Sequence, residues 1–161
     1  MKKIVFILTI AFTLTMCKST KNTIGTAAKD TKGDTEVRYR DDFKSATEGE
    51  KKALLQSLNA TAANYSVLIF TQNYKGEKIT ASNATKKLYS DYVISNLKTG
   101  IAATTRIDNT VDTKVYDDLT KTEIVLKASD TQKHKFIYLM KKPGETIPFL
   151  VTCSNTLRPL E

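Results

Sequence analysis

The stretch HKFIYLM at residues 134–140 decides how the fold of this chain is interpreted. Successive side chains of a β-strand point to opposite faces of its sheet. Phe136, Tyr138 and Met140 therefore share one face, and Ile137 and Leu139 share the other. Because both faces are apolar, the stretch predicts a central strand that is covered on both sides.

Other stretches of the chain also have the composition of strands. Residues 65–70 (YSVLIF) are mostly apolar, β-branched or aromatic, which is typical of a buried strand. Turn residues at 73–76 predict that 78–81 pair back on this strand as a hairpin. Residues 88–95 fit either a helix or a strand. Further strands are predicted at 101–107, 123–127 and 147–153.

A helix is predicted before the first of these strands. Thr47 and Glu50 have the T-x-x-E spacing of a capping box, in which each side chain accepts from an unpaired amide of the other residue. An apolar stripe follows through Leu54 and Leu58. We therefore predict a helix from Glu48 to about Ala62.

These elements predict an α+β fold in a single domain, residues 48–161. Its N-terminal helix would pack on a predominantly antiparallel sheet of about five to seven strands, because parallel crossovers need longer connections than this chain offers. A small β-sandwich or half-open barrel is the alternative.

The N-terminus has the layout of an export signal. Two lysines precede residues 4–16, thirteen residues without a charge. A membrane-spanning helix needs about 20 apolar residues, so residues 1–16 are predicted to be a signal peptide.

The run LTMC at residues 14–17 resembles the lipobox of bacterial lipoprotein precursors. Leu14 matches the pattern, whereas Met16 departs from the usual Gly, Ala or Ser. The resemblance covers about the first 20 residues. It implies that Cys17 is lipidated, becomes the first mature residue and anchors the protein to a membrane. Lys18 stands where the inner-membrane retention signal has aspartate, which implies the outer membrane, on its periplasmic face.

Residues 17–47 are predicted to be the lipidated cysteine and a flexible tether rich in threonine and lysine, because they contain few apolar residues and no apolar period. Within this tether, Val37–Phe43 is predicted to dock on the domain. The whole chain carries a net charge of +8, of which the domain holds sixteen basic against twelve acidic residues.

Candidate catalytic residues are few. His134 is the only histidine, and Cys153 has no partner in the chain if Cys17 is lipidated. A Cys153/His134 dyad is the weakest of three functional hypotheses, since His134 lies between two lysines and no hydrolase or nucleotide-binding motif occurs. No cofactor is expected.

The charged stretches are interpreted as solvated surface. The acidic residues of 108–118 lack the spacing of a calcium loop, so they predict a hairpin loop and no metal site. Lysine clusters lie at 86–87, 133/135 and 141–142. An anionic envelope polymer or an envelope protein is a candidate partner, and nucleic acid is not.

These observations predict a non-catalytic, lipid-anchored envelope lipoprotein that acts as a binding or assembly module. The alternative is an immunity-type or inhibitor lipoprotein that neutralises a toxin or hydrolase. An enzyme using Cys153 and His134 is the third hypothesis.

Overall fold

The computed structural model of the protein describes residues 35–160. The predicted signal peptide, the lipidation site Cys17 and the first part of the predicted tether lie outside these residues. Predictions about them therefore stay predictions.

Nine strands and two short helices make up the described chain. In order they are β1 (Glu36–Tyr39), α1 (Glu48–Ser57), β2 (Tyr65–Phe70), β3 (Lys75–Ser82), β4 (Lys87–Ile94), β5 (Ala103–Asp108), β6 (Thr113–Asp117), β7 (Thr122–Leu126), α2 (Ala128–Thr131), β8 (Phe136–Lys141) and β9 (Phe149–Ser154).

The strands form two sheets. The five-stranded sheet has the order β1-β9-β8-β2-β5, and the four-stranded sheet has the order β4-β3-β6-β7. β1 pairs in parallel with β9, and β2 pairs in parallel with β8. The other pairings are antiparallel. The two sheets face each other as in a β-sandwich.

The main core lies between the two sheets. Leu68 and Ile137 of the five-stranded sheet and Ile79 and Val115 of the four-stranded sheet are fully buried in one cluster. A second cluster lies on the outer face of the five-stranded sheet, where leucines of α1 pack against Val67 and its neighbours. The five-stranded sheet is thus covered on both faces.

The predicted α+β fold, with one helix on a single sheet, is wrong, because the protein is mostly β. Residues 78–81 do not return to β2 as a hairpin. They belong to β3, which pairs with β4 and β6 in the second sheet. Asn73 and Gly76 have positive φ angles of 72° and 107°, which turn the chain out of the first sheet.

The central position predicted for residues 134–140 is confirmed. β8 lies between β9 and β2. Ile137 and Leu139 point into the core between the sheets, and Phe136 and Tyr138 point into the outer cluster. Both faces of β8 are apolar because each face packs into a different hydrophobic cluster.

The capping box is also confirmed. The Thr47 hydroxyl accepts from the Glu50 amide at 3.2 Å, and the Glu50 carboxylate accepts from the Thr47 amide at 2.7 Å. The helix ends at Ser57, earlier than predicted. Asn59 adopts a left-handed conformation with φ of 51°, and the amide of Ala60 donates to the carbonyl of Leu55 at 2.7 Å. These are the features of a Schellman C-terminus.

The predicted docking of Val37–Phe43 is confirmed as well. Residues 36–39 form β1, whose Val37 pairs with Val151 of β9. Asp41 then accepts from the Ser154 hydroxyl at 2.7 Å and from the Asn155 amide at 2.6 Å. This part of the predicted tether is therefore bound to the last strand and the loop after it.

Candidate functional site

The two residues of the predicted dyad differ in burial, and His134 is only half-buried. Cys153 is fully buried in the core between the sheets, and burial raises the pKa of its thiol to about 12. His134 Nδ1 lies 3.0 Å from the carbonyl oxygen of Asp130, and its ring lies 5.2 Å from the ring of Tyr39. A reactive cysteine needs a lowered thiol pKa and access to solvent. Cys153 has the opposite environment, typical of a small core residue.

The acidic stretch is not the solvated loop that the sequence predicts. Residues 113–117 form β6, and Asp117 at its end is completely buried. Asp108 has a role in the turn after β5, where its carboxylate accepts from the amide and the hydroxyl of Thr110. Among residues 35–160 there is no group of three or more His, Cys, Asp or Glu that could hold a metal ion.

Lys141 is not a surface lysine, contrary to the prediction. Its ammonium pairs with the carboxylates of Glu77 and Asp117, at 2.6 Å from Asp117 Oδ2. The side chains are 8%, 1% and 0% exposed for Lys141, Glu77 and Asp117. Since Lys141 belongs to β8 and the carboxylates belong to β3 and β6, this buried triad joins the two sheets.

The triad holds two negative charges and one positive charge. Burial is the largest single influence and raises the pKa of Glu77 and Asp117, but the hydrogen bonds from Lys141, further hydrogen bonds from the backbone and the charge of Lys141 together outweigh it, so the pKa of each carboxyl is lowered. The pKa of Lys141 is raised, because the hydrogen bonds and charges of Asp117 and Glu77 outweigh its burial. Backbone amides of Lys75, Leu119 and Thr120 also donate to the carboxylates. The triad therefore keeps one net negative charge, which is stabilised by these backbone amides and is closed to solvent.

A groove of about 370 Å³ lies where the edges of the two sheets meet. β5 and β4 are tied together at one end by the loop 95–102, in which the Asn96 amide donates to the Ile101 carbonyl. At the other end, the start of β4 and the end of β5 line the groove together with the C-terminal end of α1. The groove is lined by Ser57, Leu58, Asn59, Tyr65, Lys86, Lys87, Leu88, Thr105, Arg106 and Asp108.

Arg106 is held in a fixed position in this groove. Its guanidinium carbon lies 4.4 Å from the centre of the Tyr65 ring, and its Nη1 donates to the carbonyl of Asn59 at 2.9 Å. Both contacts restrict the side chain. Within the part of the chain that the structure describes, the guanidinium donates to no other group. The other N–H groups of the Arg106 guanidinium are therefore available to donate hydrogen bonds to a ligand.

Two lysines stand on the opposite wall, and their position depends on Asn83. The Asn83 side chain accepts from the amides of Thr85 and Lys86, which fixes the turn before β4. Lys86 and Lys87 follow directly. Neither forms an ion pair within residues 35–160.

The groove also contains one carboxylate. Hydrogen bonds from Thr110 lower the pKa of Asp108, with smaller contributions from the charges of Lys86 and Arg106. The lining residues thus hold three cations and one anion, an excess of two positive charges. A fixed guanidinium and two ammonium groups around a concave surface can bind a phosphate or carboxylate group.

Sequence reasoning found only part of this groove. Residues 86–87 stand out as a basic pair, but Arg106 and Tyr65 are isolated positions in two predicted strands. Their contact depends on the pairing of β2 with β5, in which Arg106 lies opposite Val67 and diagonal to Tyr65. A local pattern in the sequence gives no signal for that pairing.

Comparison of the sequence with models of known protein families gives no match, and comparison with curated proteins gives none either. Among residues 35–160, no helix has the length and the apolar character needed to cross a membrane.

Proposed function

We propose that this protein is a non-catalytic binding module of the bacterial cell envelope, anchored by lipid at Cys17, that binds an anionic envelope polymer in the basic groove. The fixed position of Arg106, stacked on Tyr65 and bonded to Asn59, is the observation that carries the proposal. A guanidinium held in advance loses little conformational entropy when an anion binds.

The environment of Cys153 supports a binding role over the enzyme hypothesis. A buried thiol whose pKa is raised is a poor nucleophile. The triad of Glu77, Asp117 and Lys141 offers no accessible acid or base, because its three members pair with one another away from solvent. The groove, in contrast, is open and basic.

The groove is tested by titrating the purified full-length protein in detergent with inorganic polyphosphate and, separately, with polygalacturonate. Neutral dextran is the uncharged control. Arg106→Gln is expected to weaken binding of the preferred polyanion by about tenfold, the effect of roughly 1.4 kcal/mol. Lys133→Gln removes the same charge from a position outside the groove and should leave the affinity within about twofold. Equal losses for both variants would show that binding follows net charge and does not use the groove.

The anchor is tested separately by fatty-acid labelling and membrane fractionation of the wild type and the Cys17→Ala variant. We expect both label and membrane association to be lost in the variant. Survival of either would contradict lipidation at Cys17, while the polyanion titration would still report on the groove.

A further inference from the structure

The outer face of the four-stranded sheet is uncovered, unlike that of the five-stranded sheet. Tyr92 and Ile94 of β4 are 70% and 67% exposed, and Leu97 in the loop after β4 is fully exposed. Leu119, in the turn between β6 and β7, is also exposed. This turn lies at the same end of the sheet, since the Asp118 amide donates to the carbonyl of Lys78. These four residues (Tyr92, Ile94, Leu97 and Leu119) form the exposed patch.

Three lysines lie beside the exposed patch. Lys78 pairs with Tyr92 and Lys75 pairs with Ile94 across the β3–β4 ladder, so each lysine shares the outer face with an apolar residue. Lys98 directly follows Leu97. None of these three lysines forms an ion pair among residues 35–160. Asp91 is the only acidic residue of β4, and Asp118, next to Leu119, is paired with Lys121.

We propose that the exposed patch docks on the surface of an anionic phospholipid bilayer and fixes the orientation of the domain at the membrane. Three features favour a lipid surface over a protein partner. The tyrosine is a residue typical of the membrane interface, the leucines protrude from two loops at one end of the sheet, and the lysines complement anionic headgroups.

The position of the anchor is compatible with this orientation. The proposal rests on the anchoring proposed above, in which Cys17 is bound to the membrane. Seventeen residues separate Cys17 from Thr35, where the described chain begins. A chain of this length spans at most about 60 Å, which is enough for either end of the domain to face the bilayer.

The chain has no tryptophan, so a single substitution supplies a clean reporter. Leu97→Trp places an indole at the tip of the exposed patch. Val111→Trp, in the turn between β5 and β6 near the opposite end of the sheet, is the matched control. Each full-length variant is reconstituted into vesicles of phosphatidylglycerol with phosphatidylcholine, or of phosphatidylcholine alone, and its fluorescence is recorded.

The emission of Leu97→Trp is expected to shift to the blue by about 10 nm or more in the anionic vesicles only, since the indole then enters the apolar boundary of the bilayer. The emission of Val111→Trp should not shift. Adding Lys75→Gln and Lys98→Gln to Leu97→Trp should raise the anionic lipid fraction needed for half of the shift by about twofold or more. Slower amide exchange of residues 94–98 in the unsubstituted protein on anionic vesicles is the independent measurement.

Anchoring and docking give separate results. Flotation with phosphatidylcholine vesicles reports the anchor, because it needs no anionic lipid, whereas the indole emission reports docking. Flotation without a blue shift on anionic vesicles would overturn the docking proposal and leave the anchor intact. A blue shift that depends on protein concentration without vesicles would also overturn it, since a second copy would then cover the patch.

Discussion

The buried triad and the basic groove contain similar side chains but use them differently. In the triad, Lys141 neutralises part of the charge of Glu77 and Asp117 between the two sheets, and all three side chains are buried. In the groove, three cations share one carboxylate and remain open to solvent. Charges that are satisfied inside the protein stabilise its fold only when every partner is present. Charges that lack an internal partner are the ones that a ligand can bind.

The largest expected effect comes from breaking the triad. Lys141→Met should lower the free energy of unfolding by about 3–5 kcal/mol, because it leaves two carboxylates buried without a counter-ion. Urea denaturation measures the change. Lys142→Met is the control, since its partners Glu36 and Glu145 are closer to solvent, and it should cost about 1 kcal/mol or less. Similar losses for both variants would contradict the role given to the triad.

The next effect is a loss of stability in acid. The pKa values of Glu77 and Asp117 are lowered from ordinary values of 4.5 and 3.8. Their contribution is therefore present above these values and lost as the pH falls through the lowered values of the folded state. Thermal denaturation between pH 6 and pH 2 should show it.

The control for this pH effect removes all the charges of the triad together. The triple variant Glu77→Gln, Asp117→Asn, Lys141→Met should have a shallower dependence on acid than the wild type. It keeps a residual slope, because the pKa values of Glu36, Asp41 and Asp108 are also lowered. An unchanged slope would show that other carboxyls dominate the acid response.

A smaller effect on stability is expected from Arg106→Gln in the groove. The variant loses the stacking on Tyr65 and one hydrogen bond to Asn59, together worth about 1–2 kcal/mol. Urea denaturation gives this value, to be compared with the tenfold loss of polyanion affinity expected above. A loss of stability as large as that of Lys141→Met would mean that Arg106 is mainly a structural residue.

The smallest effect is expected from the lysines of the groove. The double variant Lys86→Gln, Lys87→Gln should change the free energy of unfolding by about 0.5 kcal/mol or less, since exposed side chains without ion pairs contribute little. The same variant should bind the polyanion more weakly and with a smaller dependence on salt. Unchanged affinity at low salt would remove these two residues from the proposed site.

The elements that the sequence predicts best are those with a strong local signal. The apolar runs of β2 and β8 and the capping box of α1 are visible without knowing what they contact. β6 was missed because its inward positions are Thr113, Val115 and Asp117, two of which are polar. Such a strand resembles a loop until Lys141 is known to face its last residue.

In the candidate site, too, the sequence indicates the residues with a local signal and not those that depend on distant contacts. The sequence indicates the basic pair at 86–87, whose chemistry is local. It does not indicate that Arg106 stacks on Tyr65, because that contact needs the β2–β5 ladder and the left-handed turn at Asn59. It also assigns Lys141 to the surface, since lysine is rarely buried without a partner, and its two partners are distant in the chain.

The sequence by itself determined where the buried strands β2 and β8 lie and where the first helix begins. These properties depend on side-chain periodicity and capping, which act between neighbours in the chain. Only the tertiary structure decided that the strands divide into two sheets, that Glu77, Asp117 and Lys141 meet between them, and that a basic groove opens where β4 and β5 diverge. Each of these features joins residues far apart in sequence, and their interaction energy exists only once the sheets are in contact.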